Sequence, residues 1–132
     1  MLPKTVETVG IVYNACYGGF SLSHEAVLKY LEYKGVPVYP AKERWGYIYY
    51  LSPWEGKKGT ELANLPSFYD RDVSRHDQTL VRVVREMGEK ANGNCAKLAI
   101  EEVNKGTLYR IDEYDGYESV VCQYDDVWQV AE

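Results

Sequence analysis

Tyr13-Asn14-Ala15-Cys16-Tyr17-Gly18-Gly19-Phe20-Ser21-Leu22-Ser23 decides how this chain begins to fold. The apolar run Val9 to Val12 leads into it, and the amphipathic segment Glu25 to Lys34 leads out. It is therefore a strand-to-helix switch. Residues 7–13 are expected as a strand and residues 23–34 as a helix. Ala26, Val27, Tyr30 and Leu31 would form the helix's buried stripe, with Gly35 ending it. Ser21 or Ser23 can cap the helix, although the S-x-x-E spacing of a full capping box is missing. Glycine lets main chain approach a ligand closely, and a helix N-terminus offers unpaired N–H donors. A turn of this kind can hold an anion, yet neither G-x-x-x-x-G-K-[ST] nor G-x-G-x-x-G is present. A plain tight turn, with Phe20 stapled onto the helix, is the simpler reading. Cys16 is expected as a buried, unreactive thiol.

Downstream, residues 36–39 read as a short edge strand next to Pro37 and Pro40, and residues 47–51 as an aromatic strand. A charged turn at residues 42–46 joins them. Residues 53–70 form a long irregular loop, a candidate lid or subunit contact. The strongest helical pattern runs over residues 77–91, with Leu80, Val83, Val84, Met87 and Ala91 on one face and Asp77 as N-cap. Gly88 interrupts it, which close packing against another element would explain. Residues 96–101 alternate as a strand that turns at 104–106. Residues 108–114 and 117–122 flank Asp115-Gly116, a strong hairpin signal. Residues 127–130 read as a last strand. The order β-α-β-β-loop-α-β-β-β-β predicts one α+β domain over residues 1–132, a mostly antiparallel sheet with two helices packed on one face.

Composition narrows the function. The chain has 132 residues, suited to one core, and a net charge of −5. Nonspecific nucleic-acid binding needs an excess of Lys and Arg, so nucleic acid is not an expected partner. Cys16, Cys95 and Cys122 are odd in number, widely spaced and without a CxxC pair. This speaks against a disulfide framework and a zinc site, and suits a reducing cytosol. No signal-peptide h-region or membrane-spanning stretch is legible. Thirteen tyrosines and three tryptophans supply aromatic area for sheet edges, pockets and interfaces.

Two further clusters could carry chemistry. Arg71-Asp72-Val73-Ser74-Arg75-His76-Asp77 precedes the second helix. Arg71 and Arg75 could capture an anion, oriented by Asp72 and Asp77, and His76 could move a proton. The alternative is a surface ion-pair cluster in which Asp77 caps the helix. No nucleophile or metal set is legible, so binding is preferred to catalysis. In the acidic run Asp112 to Glu118, the hairpin accounts for Asp115-Gly116, and Glu113 and Glu118 are expected to face water.

The Asn14-x-Cys16-Tyr17-Gly18-Gly19-Phe20-x-Leu22-Ser23 motif, the Arg71-Asp72-x-x-Arg75-x-Asp77 motif with the helix that follows it, and Glu113-Tyr114-Asp115-Gly116-x-Glu118 together resemble a group of small, uncharacterised proteins encoded by tailed phages and prophages. The similarity runs over most of the chain, about residues 9–120. Relatives in this group often carry Lys at position 15, Pro at 74 and 78, and an acidic residue at 76, which weakens a catalytic role for His76. The resemblance implies a phage origin and the host cytoplasm. Small accessory phage proteins often counter host defence, some by absorbing nucleotide signals. The expected site is a recess built from Asn14, Cys16, Tyr17, Gly18, Gly19, Phe20, Ser21 and Ser23 together with Arg71, Asp72, Arg75 and Asp77. It would take a small anionic or nucleotide-like ligand, with no cofactor and no metal, at the interface of a homo-oligomer. One alternative is an inhibitor that binds a host protein through residues 45–50 and Trp54. Another is an enzyme on a phosphate-containing substrate, for which Arg71, Asp72, Arg75, Asp77 or Glu113 must converge.

Overall fold

The run Gly10-Ile11-Val12 leaves no polar residue for a solvent face, and the strand it forms is covered on both sides. The computed structural model describes residues 7–123 and 130–131. Strand β1 (Thr8–Asn14) pairs antiparallel with β5 (Leu98–Asn104), Val12 opposite Ile100. Ile11 and Val12 are both fully buried although their side chains point to opposite faces. Val12 enters a cluster built by helices α1 (His24–Lys34) and α3 (Gln78–Met87). Ile11 enters a second cluster with Val103 and Cys122, closed by the hairpin of β6 (Tyr109–Tyr114) and β7 (Tyr117–Cys122). The ladder β1–β5 thus has the two main helices on one face and a β-hairpin on the other.

The fold is α+β and its strand pairs are antiparallel. Among the described residues they fall into three separate sheets rather than one continuous sheet. The third sheet contains β2 (Tyr39–Glu43), β3 (Gly46–Tyr50) and β4 (Ser67–Phe68), in that order. It docks through Tyr49 and Phe68, with the Phe68 ring 5.5 Å from that of Tyr30 on α1.

Several local expectations change. The strand expected at 36–39 begins only at Tyr39, because the Val36 N–H still bonds the Leu31 carbonyl at the end of α1. The charged turn shrinks to Arg44-Trp45, since Lys42 and Glu43 pair with Tyr47 and Gly46. The 53–70 segment is not structureless: it holds the one-turn helix α2 (Thr60–Ala63) and β4. Gly88 is not pressed by a neighbour, as nothing lies within 4 Å of where its Cβ would be. Its φ of 58° ends α3 and starts a 3₁₀ turn through Ala91, a conformation that favours glycine. The strand expected at 127–130 falls, except for Val130, outside the described residues, and Val130 is in no strand.

Asp77 caps α3. Its Oδ1 accepts from the N–H groups of Thr79 (2.8 Å) and Leu80 (3.2 Å). Its Oδ2 accepts from the Tyr30 hydroxyl (2.8 Å) and pairs with Lys34 (3.1 Å). Burial alone would raise this carboxyl's pKa, but the four donors outweigh burial and hold it below the ordinary 3.8. A lowered native pKa contributes stability above the ordinary aspartate value. That contribution is lost as the pH falls through the native value. Asp77→Ala is expected to cost about 1–2 kcal/mol at pH 7, the upper range for an N-cap. In urea titrations the gap from wild type should close in acid. A gap that does not narrow as the pH falls through the acid range would contradict this assignment.

Candidate functional site

The diglycine bend does meet the Arg75 region, but internal carboxylates already occupy the anion positions. Arg75 lies over the Phe20 ring, its guanidinium carbon 3.7 Å from the centroid. Its two Nη atoms grip Glu118 at 2.5 and 2.9 Å. Glu118 also accepts from the Asn14 N–H at 2.8 Å. Glu118 is only 6% exposed, so the water-facing role expected for it is wrong. Asp70 likewise accepts from the Leu22 N–H at 2.9 Å, just before α1. Arg75 and the N–H groups of Asn14 and Leu22, at either end of the bend, are thus satisfied from within.

Asn14 fastens this region. Its side chain is fully buried. Its Nδ2 donates to the carbonyls of Cys16 (2.7 Å) and Gly116 (2.8 Å), and its Oδ1 accepts from Lys97 N–H (2.8 Å). The bend is pressed onto the β6–β7 turn so closely that a Cβ on Gly116 would stand 2.7 Å from Gly18 N. Gly116 and Asp115 both have positive φ, as a two-residue hairpin turn demands.

The other expected residues scatter. Arg71 is exposed and lies over Tyr69, 5.0 Å from its centroid, and among the described residues it shares no partner with Arg75. Asp72 lines a recess of about 310 Å³ with Tyr30, Phe68 and Asp77, but Asp77 is spent on its cap. Glu113 accepts from Gly116 N–H at the hairpin turn. The convergence an enzyme would need among Arg71, Asp72, Arg75, Asp77 and Glu113 does not occur. Tyr17, Gly18 and Gly19 line an open recess of about 520 Å³ with Glu113 and Asp115, whose carboxylates oppose an anion. Cys16 is half-buried rather than buried. His76 is 2.6 Å from the Tyr109 hydroxyl, beside a small cavity of about 180 Å³ lined by Val9, Ile11 and Val103. Among the described residues, no group of three or more His, Cys, Asp or Glu could hold a metal ion, and no helix is long and apolar enough to cross a membrane.

Ser21 and Ser23 lead to a different recess. It lies between the start of α1 and the β2–β3 hairpin, has a volume of about 380 Å³, and is lined also by His24, Trp45, Tyr47, Tyr49, Asn92 and Asn94. The His24 ring stacks on Tyr47, centroids 3.8 Å apart and 14° from parallel. His24 Nδ1 is 2.9 Å from the Tyr49 hydroxyl. Burial, then the nearby Asp70, Tyr47 and Glu25, pushes the Tyr49 pKa up to about 12, so that hydroxyl stays protonated at neutral pH. Trp45 is 87% exposed at the hairpin tip, with the Arg44 guanidinium 5.0 Å from its ring centre. The aromatic segment was legible in the sequence, but its position over the start of α1 was not. The remaining signal was His24, a ring at the first helical position with no apolar face to join. Comparison of the chain with protein-family models, with curated proteins and with solved structures finds no match.

Proposed function

We propose that this chain is a small phage-encoded binding protein that sequesters a nucleotide-like molecule, countering host defence in the host cytoplasm as a homo-oligomer. The phage origin rests on the resemblance of its motifs. The ligand site is moved from the diglycine bend to the recess between α1 and the β2–β3 hairpin. One observation carries this reading: an exposed Trp45 ring and the stacked His24–Tyr47 pair border one recess, with the Arg44 guanidinium 5.0 Å from the Trp45 ring centre. Rings offer a stacking face to any base, and a guanidinium offers paired donors to phosphate. The volume lies in the ordinary range for small-molecule sites. Binding is preferred to turnover because the Ser23 hydroxyl is used, donating to the Lys90 carbonyl (2.6 Å) and accepting from Ala26 N–H (3.1 Å).

Calorimetry against cyclic nucleotides, NAD and ADP-ribose derivatives tests the proposal. Trp45→Ala should weaken binding of the ligand found by about 1–3 kcal/mol, the range for loss of one stacking ring. Arg44→Ala should weaken binding of the ligand found but not of the corresponding phosphate-free nucleoside. No heat with any member of the panel would remove the reading.

The exposure of Trp45 also supports a second reading. With Tyr39 and Tyr47 (38% and 39% exposed) it forms an aromatic hairpin suited to anchoring a host protein. Trp54 is half-buried, 6.3 Å from the Tyr50 ring, and adds less to such a face. A stoichiometric host partner retained by wild type and lost with Trp45→Ala, alongside a silent nucleotide panel, would favour it.

A further inference from the structure

The fold brings together two thiols that lie 79 positions apart in the chain. The β1–β5 pairing continues one step past its last ladder pair, because Ala15 N–H donates to the Lys97 carbonyl at 2.7 Å. That extension carries Cys16 alongside the turn at Cys95. The Cys16 Sγ lies 3.0 Å from the carbonyl oxygen of Cys95 itself. On the same turn, a Cβ on Gly18 would stand 2.6 Å from the Cβ of Cys95, so the two segments are in direct contact. Disulfides join residues whose Cα atoms are about 4.4–6.8 Å apart. The 3.0 Å approach of the Cys16 sulfur to the Cys95 carbonyl brings the two residues close to that range. The two thiols differ in access: Cys95 is exposed and Cys16 is half-buried.

We propose that Cys16 and Cys95 form a two-thiol redox site, which a small-molecule disulfide of the glutathione type closes into an intramolecular bridge. Cys95, reached first, attacks as thiolate one sulfur of the reagent. The reagent's S–S bond breaks, and its other half leaves and takes up a proton in place of the one Cys95 lost. Cys95 then carries a mixed disulfide. The Cys16 thiolate attacks the Cys95 sulfur, the bond to the reagent breaks, and the second half leaves as a thiol. Two electrons pass from the two cysteines to the reagent, which departs as two thiols. The bridge removes the Cys16 S–H donor and with it the contacts to Asn14 Oδ1 (3.4 Å) and the Cys95 carbonyl (3.0 Å), while Asn14 keeps its bond from Lys97 N–H.

The test uses the 132-residue chain, incubated folded with excess oxidised glutathione, then unfolded in a maleimide and digested without reduction. Peptide mass mapping should show a Cys16–Cys95 cross-link, with loss of alkylation at both residues and Cys122 still alkylated. Cys16→Ser should halt the reaction with glutathione on Cys95, and Cys95→Ser should prevent any bridge. The wild-type map needs no variant to fold. Glutathione persisting on wild-type Cys95 with Cys16 still alkylated would overturn the proposal. So would a bridge to Cys122, or no reaction at either residue.

Discussion

Replacing Glu118 with alanine is expected to lower stability by about 3–5 kcal/mol, the range for removing one partner of a buried ion pair. The Arg75 and Glu118 side chains are only 18% and 7% exposed. Glu118 serves both the guanidinium and the Asn14 N–H. Its loss leaves a charge over the Phe20 ring without a counter-ion and a buried N–H without an acceptor. The pair itself is not expected to contribute that much, because removing two charges from water cancels most of their attraction. Glu118→Gln, which keeps an acceptor for Asn14, should cost less. The double change Arg75→Met with Glu118→Leu should recover much of the loss. Urea titrations would read this as a shifted midpoint with an unchanged slope. A cost below about 1 kcal/mol for Glu118→Ala would place the pair among exposed salt bridges and contradict the burial described here.

Asn14→Ala should be comparably damaging for a different reason. It removes no charge, but it orphans the Lys97 N–H and deprives the carbonyls of Cys16 and Gly116 of their donors. The three bonds are part-buried, so each group left unsatisfied falls at the low end of the roughly 1–3 kcal/mol for a buried one, and a total of about 3 kcal/mol is expected. Asn14→Asp should not rescue it: a carboxylate still accepts from Lys97 but has nothing to donate to two carbonyls. Hydrogen exchange locates the effect, since the Lys97 amide should lose protection in Asn14→Ala and keep more of it in Asn14→Asp, whose carboxylate still accepts from it. Retained protection at Lys97 in Asn14→Ala would show that Asn14 does not hold the three segments together. Neither variant touches the aromatic recess, so ligand binding measured under folding conditions should persist.

The helices and the C-terminal hairpin were legible because their determinants are local. Leu80, Val83, Val84 and Met87 repeat at helical spacing behind the Asp77 cap, and Asp115-Gly116 can adopt the positive φ pair its turn requires. Strand β1 was legible from its apolar run. The meeting of distant loops was not. Asn14 reads as one polar residue at the end of a strand, and nothing near it in sequence names Gly116 or Lys97. Glu118 was misread although a signal existed. It is in phase with Val120 and Cys122 on the inward face of β7, so period two places it inside. A carboxylate there demands a cation, and the arginine assigned to a ligand was the one available. The recess was missed because the docking of β2–β3 onto α1 depends on Tyr49 and Phe68, contacts no local pattern encodes.

The Asn14 side chain and main chain bond residues 102 and 104 positions further on. During translation, the first loop of this protein therefore cannot settle until residues 116–118 have left the ribosome. A nascent chain that has made both main helices can already hold Leu22 and Ser23 through Asp70 and Lys90, but it still presents residues 14–19 unfastened, and that early window is where proteases and chaperones would find them.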